Sequence, residues 1–220
     1  MRSSRSRVEN RRRRWPRVVE RARPALFLLL ISLLLACSAA PRPAPRLLAD
    51  DSVGADLQAV ADETWSRFLA RFEARTDCFG DVRLHAARDL PGRAAYDPGS
   101  ARVSVRVPAT RAMLQSALIH EWAHHVEFQC PAQAALRPDF LAAQGLPADT
   151  PWRIAYAAAG LPESEWADIP AEQYAEAVVE LVLGRRQIPT TARVCPEAVE
   201  AIARWASGRE STIPISRRSP

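Results

Sequence analysis

Between residues 53 and 74, Leu57, Val60, Ala61, Trp65, Phe68, Leu69 and Phe72 recur at helical spacing on one stripe. This predicts an amphipathic helix over Val53–Ala74 whose aromatics face a core. The period then shortens. Cys78–Ala86 (CFGDVRLHA) reads as a strand, and Arg102–Val107 (RVSVRV) alternates strictly, with Val103, Val105 and Val107 on one face. Asp97-Pro98-Gly99-Ser100 lies between them as a turn signal, so a small antiparallel sheet of two to four strands is expected. Pro108 closes the last strand, and Thr110 has N-cap chemistry for a helix running to about Phe128. Residues 131–169 read as proline-rich connections and short helices. A further helix is expected from Pro170 or Ala171 to about Gly184, since proline is tolerated at a helix start. The last spans Pro196–Ala206 and stops at Gly208. One helix, a small sheet and four more helices, with no internal repeat, make an α+β domain.

Composition changes the picture chiefly at the N-terminus. The chain of 220 residues is 48% apolar and contains no lysine, and its formal charge is +5. Residues 1–36 hold ten arginines against Glu9 and Glu20, which leaves 20 arginines against 23 acids in the remainder. The basicity therefore belongs to the leader. No basic helix with interleaved aromatics follows residue 40, so nucleic acid is not an expected partner. An arginine-rich opening, the apolar run Ala25–Ala36 and small residues after it form a secretory signal pattern, too short for a comfortable membrane span. LLLAC (Leu33–Cys37) resembles a bacterial lipobox, in which Cys37 is acylated and anchors the chain to the membrane. An ordinary signal cleaved near Ala39–Ala40 and a retained anchor are the alternatives. All three place the folded part outside the cytoplasm. The expected organisation is a signal peptide over 1–36, a proline-rich tether over 37–50, a domain over 51–210 and a disordered tail over 211–220.

Cys78, Cys130 and Cys195 remain after Cys37. Three thiols outside the cytoplasm permit one bridge and leave one over. Cys130 follows one helix and Cys195 precedes another, so Cys130–Cys195 is the expected pair.

Three of the four histidines fall in SALIHEWAHHVEFQC, residues 116–130. On a helix His120 and His124 lie about 40° apart around the axis, whereas His125 lies about 140° from His120. HEWAH is thus an HExxH pair able to grip Zn²⁺, with Glu121 placed to serve a water beside the metal. His125 is expected to pack or hydrogen-bond on the neighbouring face, and His85 to be structural.

A catalytic zinc needs a third protein ligand. The metzincin solution requires a histidine six residues after His124, where this chain has Cys130, and a glycine where it has Glu127. No histidine follows 125, so a carboxylate from a second helix is required. AEQYAEAVVEL (Ala171–Leu181) offers Glu172, Glu176 and Glu180 on one face, a like-charged stripe that repels itself unless a cation binds.

ALIHEWAHHV with EQYAEAV downstream resembles the gluzincin zinc metallopeptidases, specifically the lethal-factor-like pattern of HExxH and a later E-x-[FY]-A-E. The resemblance covers about Val103 to Leu183, closely only over the two helices. It implies a zincin-like fold, a small antiparallel sheet packed on the HExxH helix, with Glu172 as third zinc ligand. It also implies that Glu176 orients a zinc-bound histidine, though the two glutamates can exchange roles. Glu180 is left as a surface or salt-bridge residue. The family's fold further implies that the valines of 103–107 form an edge strand along which an extended peptide pairs. The expected activity is hydrolysis of a peptide or protein substrate with Glu121 as general base, by a monomer. Tyr156 and Tyr174 both remain open as oxyanion stabilisers. The alternative is a non-catalytic metal-binding envelope lipoprotein acting as an interaction module.

Overall fold

The alternation of Arg102–Arg106 does what a pleated strand requires: Val103 and Val105 are fully buried while Arg102 and Arg106 face solvent. In the computed structural model, which describes residues 43–154 and 163–209, this strand is β4 of a four-stranded sheet. The others are β1 (Leu47–Ala49), β2 (Val82–Ala87) and β3 (Ala94–Asp97). Their order is β1-β2-β4-β3. β1 and β4 both run parallel to β2, with Leu84 opposite Val103, and only β3 is antiparallel to β4.

Three expectations are corrected here. The sheet is mixed, not antiparallel, because the Asp97–Ser100 turn joins β3 to β4 and not β2 to β4; alternation encodes which face is buried, not strand direction. β4 is internal, so the valines of 103–107 form no edge, and the edge beside β4 is β3. β3 escaped the sequence pattern because Ala94-Ala95-Tyr96-Asp97 has no β-branched residue. Finally, β1 lies inside the stretch assigned to a tether, so folded structure begins earlier than residue 51. Residues 1–42, which include the signal segment and Cys37, and the tail 211–220 lie outside the described residues. Among the described residues no helix is long and apolar enough to cross a membrane.

Helices cover one face of the sheet. They are α1 (Ala55–Arg71), α2 (Arg111–Gln129), α3 (Arg137–Gln144), α4 (Glu163–Ala167), α5 (Pro170–Leu183) and α6 (Pro196–Ala206). Leu57, Ala61, Trp65 and Phe68 of α1 are buried, and Trp65 and Phe68 pack edge-on against Trp122 of α2 at 4.9 and 5.7 Å. Burying side chains of this size dominates a domain core. Thr110 caps α2, its Oγ1 accepting from the Met113 amide at 3.3 Å. Gly184 ends α5 at φ 76°, a left-handed position where glycine carries no Cβ penalty.

α2 and α5 are buried around nearly their whole circumference, polar residues included. A helix of this kind has its polar side chains satisfied by a neighbour, not by solvent. The end of α2 is fastened covalently: Cys130 is bonded to Cys78, with Cα atoms 4.7 Å apart, and Cys195 is free. This corrects the Cys130–Cys195 expectation. Both cysteines adjoin helix ends, but only the chain leaving α1 passes the end of α2, which sequence position alone does not reveal.

Candidate metal centre

One helical turn separates His120 from His124 on α2, and one turn separates Glu172 from Glu176 on α5. The packing of these two helices brings the four side chains together. Glu172 Oε2 lies 3.1 Å from His120 Nε2 and 3.3 Å from His124 Nε2, and the two Nε2 atoms are 3.2 Å apart. Three ligand-type atoms thus form a nearly equilateral triangle. A tetrahedral ion with bonds of about 2.0–2.1 Å has an edge of roughly 3.3 Å, so this donor set fits a small divalent metal. Two facing imidazole nitrogens at this distance need a cation or a proton between them, and the carboxylate beside them favours the same charge. His120, His124 and Glu172 are the only such cluster among the described residues.

Each histidine is oriented from behind. His120 Nδ1 donates to Glu176 Oε1 at 3.1 Å, which leaves its Nε2 lone pair facing the triangle. His124 Nδ1 lies 3.1 Å from Glu127 Oε2 and 2.8 Å from Arg153 Nη2, a group that can only donate to it. Glu127 is nearly inaccessible and collects donors: Trp152 Nε1 at 2.8 Å, Arg153 Nε at 2.7 Å and Arg153 Nη2 at 2.5 Å. The Trp152 carbonyl in turn accepts from the Ala171 amide at 3.1 Å, next to Glu172. Trp152–Arg153 is therefore a strut between the two helices that carry the triangle.

The electrostatics follow from burial and pairing. Burial works against charge on His120, but hydrogen bonds to Glu172 and Glu176 outweigh it and raise its pKa to about 10. Burial opposes charge on His124 as well, and Glu172 and Glu127 raise its pKa in spite of that. Glu172 is buried too, yet the two imidazoles hold it far below the carboxylate range. Glu127 resists burial through His124 and Arg153 and falls to about 2. Glu121 is the exception: desolvation pushes it up, against the pull of the histidines. A carboxylate with raised proton affinity beside a metal site suits proton transfer near neutrality.

The triangle lies in an open cleft of about 540 Å³, which Glu121 also lines. Ala94, Ala95 and Tyr96 of edge strand β3 form one wall. Trp166 stacks on His120 with centroids 5.7 Å apart and planes at 22°. Beyond His120 the cleft is lined by Ser116, Ala117, Val179 and Ile188, with Arg93 near Ala117; beyond His124 it meets Phe128 and Arg153. The Ser116 hydroxyl is buried without a partner.

Other candidates fall elsewhere. His125 is fully buried, accepts from Tyr96 Oη at 3.0 Å and donates to the Gly80 carbonyl at 2.9 Å. His85 pairs with Asp50 at 2.8 Å on the open side of the sheet. Glu180 faces Arg186 at 3.7 Å. Tyr174 is wholly buried against Phe140 and Trp152 and does not line the cleft, and Tyr156 lies outside the described residues. Glu127, Arg153 and Trp166 had no assigned role in the sequence reading. Glu127 had a usable signal, sitting three residues after His124 on the same helix; Arg153 and Trp166, in the irregular connection and the short helix after it, had none.

The arrangement defines a candidate mononuclear metal site at the floor of a substrate-sized cleft. The chain matches no protein-family model, no curated protein and no solved structure, so its functional reading rests on these residues.

Proposed function

We propose that the chain is a zinc-dependent peptidase working outside the cytoplasm. The convergence of His120 Nε2, His124 Nε2 and Glu172 Oε2, with Glu121 lining the same cleft, carries this reading. Two imidazoles and one carboxylate are the ligand set of a catalytic zinc that keeps a position open. When bound, such an ion polarises a carbonyl oxygen and acidifies water. Glu121 accepts a proton from the attacking water as that water's oxygen bonds to the scissile carbonyl carbon. It then delivers the proton to the departing amine nitrogen as the C–N bond breaks. Glu176 keeps the His120 imidazole in the tautomer and orientation that expose Nε2, and Glu127 with Arg153 fixes the orientation of His124. The β3 edge offers unpaired backbone groups along the cleft for an extended peptide.

The Cys78–Cys130 bridge supports an oxidising compartment, in line with the secretory pattern of residues 1–36 and a lipid anchor on Cys37. The test is Glu121→Gln, an isosteric change that removes the base and spares the ligands. It is expected to bind zinc stoichiometrically and to lose hydrolysis of a mixed peptide substrate by at least about 100-fold. Undiminished hydrolysis in this variant would falsify the assignment. Zinc binding by the wild type with no cleavage of any peptide would favour the non-catalytic interaction module.

A further inference from the structure

The cleft differs at its two ends. One turn before His120 and one turn after Glu176 its wall carries Ala117, Val179 and Ile188, with Arg93 near Ala117. Past His124 it carries a cation whose plane is fixed. Arg153 is held there on an edge and a face: Nε and Nη2 donate to Glu127 at 2.7 and 2.5 Å, and Cζ lies 4.6 Å from the Phe128 ring centroid. Stacking and a bidentate contact together fix the plane of a guanidinium. Nη1 is left over. Among the described residues its one ion-pair partner is Glu172 Oε1 at 3.9 Å, beyond hydrogen-bond reach.

Glu127 needs a single cation, and the Nε/Nη2 edge already supplies it. The two N–H groups of Nη1 are surplus to that role. They sit at the cleft wall beside the carboxylate that closes the triangle, on a side chain one-third exposed. A peptide laid across the triangle brings the residue on the His124 side of its scissile bond within reach of Nη1. An immobilised, partly desolvated guanidinium edge selects a carboxylate over a neutral amide of equal shape, because only the carboxylate makes charge-assisted bonds to it.

We infer that Arg153 receives an Asp or Glu side chain of the bound peptide, so that the substrate class is peptides with an acidic residue on the His124 side of the cleaved bond. This inference deepens the peptidase reading and rests on it for the scissile bond, while the carboxylate contact stands on Arg153 alone.

Binding and cleavage are measured separately. Blocked peptides identical except for Glu or Gln at a scanned position are titrated into cobalt-loaded Glu121→Gln protein, following the visible cobalt band. The same peptides are incubated with the zinc-loaded wild type and analysed by mass spectrometry. At one position Glu is expected to bind at least about tenfold more tightly than Gln, and Arg153→Gln, compared at cobalt concentrations that saturate its band, removes that preference. Arg153→Lys, which retains a charge without the fork, keeps only part of it; this variant decides the matter if Arg153→Gln loses metal through Glu127. A Glu preference without cleavage upholds the Arg153 contact and overturns the peptidase reading. Cleavage with equal binding of Glu and Gln peptides overturns the contact, as does a preference unchanged in both Arg153 variants. Failure to bind either peptide overturns it as well.

Discussion

Cys78 and Cys130 close a loop of 52 residues that contains the whole of β2, β3, β4 and α2. Replacing both by alanine, in a Cys195→Ala background that prevents thiol exchange, opens this loop in the unfolded chain without burying a new polar group. The chain-entropy relation for a loop of this length gives about 14 cal/mol/K, or about 4 kcal/mol at 25 °C. With an unfolding entropy of about 2.1 cal/mol/K per residue over roughly 165 folded residues, Tm falls by about 12 °C. Calorimetry of the metal-free proteins reads this directly, and non-reducing peptide mapping of the wild type identifies the bridge. Excess zinc then adds an upward shift of similar size in both proteins if the triangle itself is intact, since ligand stabilisation depends on the dissociation constant and the free ion. A Tm loss under about 3 °C, or a mapped Cys130–Cys195 peptide, would refute the reasoning. The second result would also detach the end of α2 from the chain that leaves α1.

Further outcomes concern the site. Glu176→Gln is expected to weaken zinc binding about 10–100-fold in a chelator competition while leaving the triangle in place; unchanged affinity would deny Glu176 its hold on His120. Metal-free His120, raised to about 10, carries a proton at pH 7 that zinc must expel. Zinc affinity therefore rises with pH between about 6 and 10, by close to one log unit per pH unit for each proton released, and calorimetry in buffers of different ionisation enthalpy counts those protons. Glu127 is held at about 2, below the ordinary 4.5. A depressed carboxylate contributes stability that is complete above its unfolded value and lost as pH falls through the folded one. Urea unfolding of the metal-free protein should thus lose up to about 3 kcal/mol between pH 5 and 2 through this group, and Glu127→Gln should flatten that part of the profile.

What the sequence made legible has a common physical basis. α1, α2, α5 and α6 could be read because periodicity and end chemistry are local: an aromatic stripe, Thr110 as cap, Pro170 at a start, Gly184 at a stop. His120 and His124 could be paired from helical angle alone. The choice between Glu172 and Glu176 could not, because both lie on the same face of α5, and which faces an Nε2 depends on the axial offset between two helices packed from distant parts of the chain. The geometry settles that offset: Glu172 closes the triangle and Glu176 lies behind His120. The same reason hid the cysteine pairing and the direction of the strands, both of them relations between segments and not properties of either.

Glu127 shows where such a limit has a local exception. Its spacing from His124 placed it within reach of Nδ1, but an acid near the end of an exposed helix has no need of a partner, and only the burial of α2 makes the contact obligatory. A carboxylate removed from water on this scale requires compensation by several donors at once. Arg153 and Trp152 supply them, and the Trp152 carbonyl is fixed to the start of α5. The place of Arg153 in the cleft is thus tied to how His124 is held. Any substitution that frees Glu127 from its partners should disturb metal binding and the charge of the cleft together.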